Sequence, residues 1–114
     1  LENARDQGSV TTIPVAQGGA TELHLNAVCP KGSRIKVELI DLETGQAMPG
    51  FTRKDCQPIT GDSHAHAVRW GKQSLPKKTK TPFQIRFHLI KGNESPRLYA
   101  FEFRAASPQT TTQP

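Results

Sequence analysis

The chain is poor in large aromatic side chains, with five Phe, one Trp, one Tyr and a single Met among 114 residues. Proteins that grip crystalline polysaccharide present two or three coplanar exposed aromatics, so a broad aromatic platform is not expected here. Long apolar runs are also missing. None approaches the ~18–20 residues that a membrane-spanning helix needs, and no membrane partner is expected. The two cysteines, Cys29 and Cys56, make no C-x-x-C pair and no zinc spacing. They read either as one disulfide of an exported domain or as two separate buried thiols, and the second reading is preferred. The first residues, Leu1-Glu2-Asn3-Ala4-Arg5-Asp6, lack the apolar segment of a signal peptide. A piece of a longer secreted protein would read the same way, and a secreted, periplasmic or cell-surface location is expected.

Charge is present in excess of one sign, at +5 formally and with pI ≈ 9.6. A nucleic-acid partner is nevertheless not expected. Apart from Arg53-Lys54 and from Lys77, Lys78 and Lys80, the cations are scattered singly along alternating segments, as on the solvated face of a sheet. The same positive field would attract an anionic polysaccharide.

Helical periodicity is nowhere sustained, whereas period-two alternation recurs. Ile35, Val37 and Leu39 alternate with Lys36 and Glu38, and Phe83, Ile85, Phe87 and Leu89 alternate with Gln84, Arg86 and His88. Leu23 and Leu25 alternate with Glu22, His24 and Asn26, while Tyr99, Phe101 and Phe103 fall on one side of a last segment. Successive strand side chains point to opposite faces, so each segment reads as a half-buried antiparallel strand. Residues 9–15 and 65–70 are weaker strand candidates, and 39–47 reads as a strand entering a hairpin. Reversals are supplied at Gly18-Gly19, Pro30-Lys31-Gly32, Thr44-Gly45, Pro49-Gly50, Thr60-Gly61-Asp62 and Gly92-Asn93. The expected fold is an all-β antiparallel sandwich, jelly-roll-like, of about seven to nine short strands. Residues 8–104 form the domain, 1–7 an N-terminal extension, and 105–114 a flexible Thr/Gln/Pro-rich tail.

The centre of the chain carries Pro49-Gly50-Phe51-Thr52, Asp55-Cys56-Gln57-Pro58-Ile59-Thr60-Gly61-Asp62-Ser63 and His66-Ala67-Val68-Arg69-Trp70, and the end carries Leu98-Tyr99-Ala100-Phe101-Glu102-Phe103. This succession resembles an accessory domain of bacterial proteins of the planctomycete and verrucomicrobial type. There it follows a sialidase-like or invertase-like β-propeller in proteins labelled as glycosidases. Two positions depart from that pattern: Cys29 is extra, and His64 stands where an aliphatic residue is usual. The resemblance implies a non-catalytic sandwich that contacts glycan or packs on its parent catalytic domain. No propeller is present in this chain, so glycosidase activity is not implied.

Several residues are candidates for chemistry. His64 and His66 form an H-x-H on an expected strand, which would set both imidazoles on one face about 7 Å apart. Such a pair, completed by His24, His88, Asp55 or Asp62, would hold a metal, and a small copper-dependent polysaccharide-active enzyme is the alternative function. Histidines bonded within the fold are the simpler expectation. Asp55 and Asp62 would suit glycoside hydrolysis if they stood ~5–10 Å apart, but Asp in such a connection normally caps a turn. As calcium ligands they are too few. Trp70, flanked by Arg69 and Lys72, reads either as a sugar-stacking platform or as a core plug. Asp62 and Arg86, the latter on the polar side of its strand, complete the candidate ligand-binding set. Lys77, Lys78 and Lys80 would complement an acidic glycan. No Gly-x-Ser-x-Gly surrounds Ser63, so no nucleophile is expected there.

Overall fold

The computed structural model describes residues 7–76 and 82–105. Within them the chain forms six strands and no helix: β1 Gln7–Thr11, β2 Glu22–Cys29, β3 Arg34–Asp41, β4 Gly61–Ala67, β5 Phe83–Ile90 and β6 Arg97–Arg104. They make two three-stranded antiparallel sheets, ordered β1-β5-β3 and β4-β2-β6. The expected seven to nine strands are therefore six, because the segments between β3 and β4 and after β4 form isolated bridges rather than ladders. The extension 1–7, apart from Gln7, and the tail 105–114, apart from Ala105, lie outside the described residues, as does the Lys77–Lys80 cluster.

Consecutive strands always lie in different sheets, so each connection crosses the stack and no two sequential strands pair. The alternation of β2, β3 and β5 explains how this is held. Their inward residues Leu23, Leu25, Ala27, Ile35, Val37, Leu39, Ile85, Phe87 and Leu89 are all essentially buried. Two aromatic pairs tie β5 to β6 across the interior, Phe83–Phe103 at 6.3 Å and Phe87–Phe101 at 5.5 Å between ring centroids. Burial of this apolar surface is the main force holding the sheets together, at roughly 25 cal/mol per Å².

The outer edge of β3 has no strand beside it, yet its backbone is satisfied. Leu39 N–H donates to Phe51 O and Leu39 O accepts from Met48 N–H, while Ile35 exchanges two bonds with Ile59. Between them, Val37 N–H donates to Cys56 Sγ at 3.2 Å, and Trp70 Nε1–H donates to Val37 O at 2.8 Å. Two side chains thus replace one rung of a missing strand. An open edge is a pairing hazard, and this one is closed from within the chain. The hairpin expected at 39–47 is present in short form: the chain reverses after Asp41, and Ile40 bridges Ala47.

Two expectations are corrected. The fourth strand runs over Gly61–Ala67 rather than 65–70, so the Thr60-Gly61-Asp62 segment opens a strand instead of making a reversal. β4 is an edge with four exposed residues at its start, and it therefore gives little alternation to read. In β6, Tyr99 does not share a face with Phe101 and Phe103. Asn26 pairs with Ala100 and Ala27 with Leu98, leaving Tyr99 as an extra residue. This bulge inverts the phase, burying Leu98 to 7% and leaving Tyr99 60% exposed.

Candidate functional site

The most differentiated surface is the outer side of the β4-β2-β6 sheet. Both of its edge strands depart from regular pairing at one level of β2. On β4, His66 pairs with Leu25 and Ser63 with Ala27, so His64 and Ala65 together oppose Asn26. On β6, the extra Tyr99 falls between the partners of Asn26 and Ala27. Two bulges therefore flank Asn26, one on each side. Bulges re-aim side chains and concentrate beside functional surfaces. Here they frame a depression of about 230 Å³ lined by His24, Asn26, His64, Ala100, Phe101 and Glu102.

The polar groups around this depression are held by short bonds along β2. His24 Nε2–H donates to Glu22 Oε1 at 2.9 Å, and Arg69 stands 3.6 Å from Glu22 Oε2. The bond from His24 holds the Glu22 carboxyl below its ordinary value, with the Arg69 charge adding to the effect against partial burial. His24 Nδ1 is buried and has no hydrogen-bond partner, although it belongs to a residue that lines the depression. A buried polar atom without a partner costs stability and is uncommon in a settled core. Beyond β6, an apolar cleft of about 360 Å³ is lined by Val10, Thr12, Phe87, Leu98, Tyr99, Ala100 and Phe101. Ala100 and Phe101 are common to both hollows, so β6 is the wall between a polar depression and an apolar cleft.

Comparison with protein-family models, with curated proteins and with solved structures found no match.

The residues singled out from sequence fall in several places. Trp70 is 1% exposed, bonded to Val37 O and edge-on to Phe51 at 5.3 Å. It is a core plug, and its ring cannot stack on a sugar. Arg69 flanks the sheet through Glu22, and Lys72 is exposed in the turn that follows Trp70. Asp62 lies near the other end of β2, opposite Val28. Arg86 is on the outer face of the other sheet, where Nε–H donates to Thr11 Oγ1 at 3.0 Å and a terminal nitrogen stands 3.5 Å from Glu38. These five residues do not form one surface.

The H-x-H expectation is also corrected. His66 stands opposite the fully buried Leu25, and its Nε2–H donates to Ala27 O at 3.1 Å. His64 lines the outer depression instead. The β4 bulge between them breaks the alternation that would have set both rings on one face. Among the described residues no group of three or more His, Cys, Asp or Glu side chains is arranged to hold a metal ion. His88 is engaged elsewhere, donating to Glu38 Oε1 at 2.8 Å. Asp55 caps its turn, as expected, accepting from Thr52 N–H at 3.2 Å and Thr52 Oγ1–H at 2.7 Å. Those bonds hold its carboxyl below the ordinary value.

Both cysteines are free and buried. Burial pushes the Cys29 thiol up to about 11, with the Asp62 charge contributing, and burial also raises Cys56. Neither has the exposure and lowered pKa of a reactive thiol. Sequence reading missed Asn26 and Glu102, and left Tyr99 open between a sugar platform and a core residue. The polar side of β2 was legible, but the two bulges that make a hollow beside it leave no mark in a period-two pattern.

Proposed function

We propose that this is a non-catalytic accessory β-sandwich, jelly-roll-like in its sheet-to-sheet crossings, that contacts carbohydrate as part of a carbohydrate-active protein. The observation that carries this reading is the pair of bulges flanking Asn26. They set His24, Asn26, His64 and Glu102 around one shallow depression, with the exposed Tyr99 just across β6. Amide, imidazole and carboxylate groups match the paired donors and acceptors of sugar hydroxyls. A single exposed aromatic beside them offers a face for one pyranose ring. A shallow, solvent-open site of this kind binds a chain of sugars passing over it, and does not enclose a reacting bond.

Supporting the non-catalytic part, Asp55 is committed to Thr52 and Glu22 to His24 and Arg69. A catalytic acid needs a raised pKa, and both of these are lowered. The copper-enzyme alternative would use His64 and His66 together, and the β4 bulge that lies between them favours the non-catalytic reading.

A second reading is favoured by a specific feature, the apolar cleft at Val10, Phe87, Leu98 and Tyr99. In this reading the domain packs on a parent catalytic domain through that cleft, as a structural partner. The two readings share Tyr99 on β6 and otherwise use different surfaces. A glycan array weighted towards acidic sugars tests the first. Binding that is lost in His64→Ala and Asn26→Ala supports it, whereas an array without any positive glycan contradicts it.

A further inference from the structure

At the end of the stack where β2 turns into β3, a cleft of about 610 Å³ is lined by Cys29, the Pro30–Arg34 turn and Thr60, Gly61 and Asp62. That volume is within the ~300–1,000 Å³ range of small-molecule sites. Its walls are fixed. Pro30 O accepts from both Ser33 N–H at 2.8 Å and Ser33 Oγ–H at 2.7 Å, and Ser33 is 2% exposed. Gly32 takes a positive φ of 86°, which a side chain would strain. Against it lies Gly92, where an added Cβ would collide with the Gly32 carbonyl and Ser33 N. On the other wall, the two bonds between Ile35 and Ile59 anchor the chain one residue before Thr60.

Charged side chains of both signs line this cleft without partners among the described residues. Arg69, Arg86 and Arg104 are each engaged by a carboxylate, from Glu22, Glu38 and Glu102. Lys31 and Arg34, both exposed, make no ion pair among the described residues. Asp62 likewise makes no hydrogen bond or ion pair there, although its charge reaches the Cys29 thiol beneath. Two unengaged cations and one unengaged anion therefore share one rigid cleft. A simple inorganic anion would meet Asp62 as a repulsive neighbour, and a neutral sugar would leave the two cations unused. A ligand with a carboxylate at one end and hydroxyl donors at the other satisfies all three.

We infer that this cleft binds a sugar acid, with Arg34 and Lys31 taking the carboxylate and Asp62 and Thr60 taking ring hydroxyls. The inference rests on the carbohydrate reading above and names the class of sugar. Arg suits the carboxylate because its planar fork donates two parallel bonds. The net charge of +5 favours approach of such a ligand over long range.

The test is calorimetric titration of the full chain with an oligogalacturonate and with its methyl ester, which keeps the hydroxyls and removes the charge. The acid is expected to bind about ten-fold or more tighter than the ester. Arg34→Ala should weaken the acid about five- to ten-fold and leave the ester unchanged, and Asp62→Ala should weaken both. These are exposed positions, so thermal melts of the variants should overlay the parent. Added salt should weaken the acid selectively. Equal affinity for acid and ester, or acid binding indifferent to Arg34→Ala, overturns the inference. If only a neutral glycan binds, with amide shifts at Asn26, the sugar-acid inference fails while the carbohydrate reading stands. If no glycan of any class binds, both fail.

Discussion

The two flanks of the stack solve the same problem in opposite ways. Along the β3–β4 side, the 47–59 segment and Trp70 turn inward and satisfy the backbone of β3 rung by rung. Along the β1–β6 side, nothing in the described residues covers the gap, and Val10, Phe87, Leu98 and Tyr99 line an open cleft. The sealed flank is where Trp70, Phe51, Cys56 and Ile59 are buried. The open flank keeps the only tyrosine in solvent. A small domain with few aromatics has placed most of them in the interior and left one at the surface. The difference separates residues that hold the fold from residues that are free to meet a ligand.

Replacing Trp70 should produce the largest effect. Trp70→Ala leaves a cavity and an unpaired Val37 carbonyl, and is expected to cost about 3–5 kcal/mol by denaturant unfolding. Trp70→Phe should recover most of that, because it restores volume without the indole bond. Cys56→Ala removes the acceptor of Val37 N–H and should cost about 1–3 kcal/mol. If either change left stability untouched, the sealed flank would not be sealed by these side chains.

Alkaline pH probes the same interior without mutation. The Cys29 and Cys56 thiols are raised above their ordinary value of 9.0 in the folded chain, Cys29 to about 11. A group with a raised folded pKa contributes its full stability below 9.0, and that contribution is lost as pH climbs towards the folded value. The melting temperature should therefore fall as pH rises from 9.0 to about 11, and the fall should be shallower in Cys29→Ala.

The open flank should behave differently. Tyr99→Ala is expected to change stability by less than about 0.5 kcal/mol, while reducing any glycan affinity. A large destabilisation would make Tyr99 part of the fold and break the contrast. The smallest effect should come from Glu22, whose lowered pKa gives stability that is present above 4.5 and lost as pH falls further. Glu22→Gln should flatten that acid limb of a pH–stability curve.

Much of the fold was legible because three strands bury one face and expose the other. Leu23-x-Leu25, Ile35-x-Val37-x-Leu39 and Phe83 to Leu89 needed only the period-two rule. β4 was misplaced because an edge strand with little buried area carries almost no pattern, while the buried Val68 and Trp70 that follow it serve the sealed flank. The site was less legible. Asp55 as a turn cap followed from local chemistry, but His64 and His66 were paired on the assumption of unbroken alternation. A bulge shifts the phase by one residue, and neither composition nor spacing announces it. The same holds for Tyr99, whose exposure depends on the extra residue opposite β2.

The central claim is that the bulged face of the β4-β2-β6 sheet contacts carbohydrate. It is tested most directly by mapping backbone amide shifts of the isotope-labelled chain during titration with a panel of neutral and acidic oligosaccharides. The account predicts saturable shifts at His24 to Val28, Asp62 to His66 and Tyr99 to Glu102. Shifts confined to the outer face of the other sheet around Arg86 and His88, or no shift with any oligosaccharide, would contradict it.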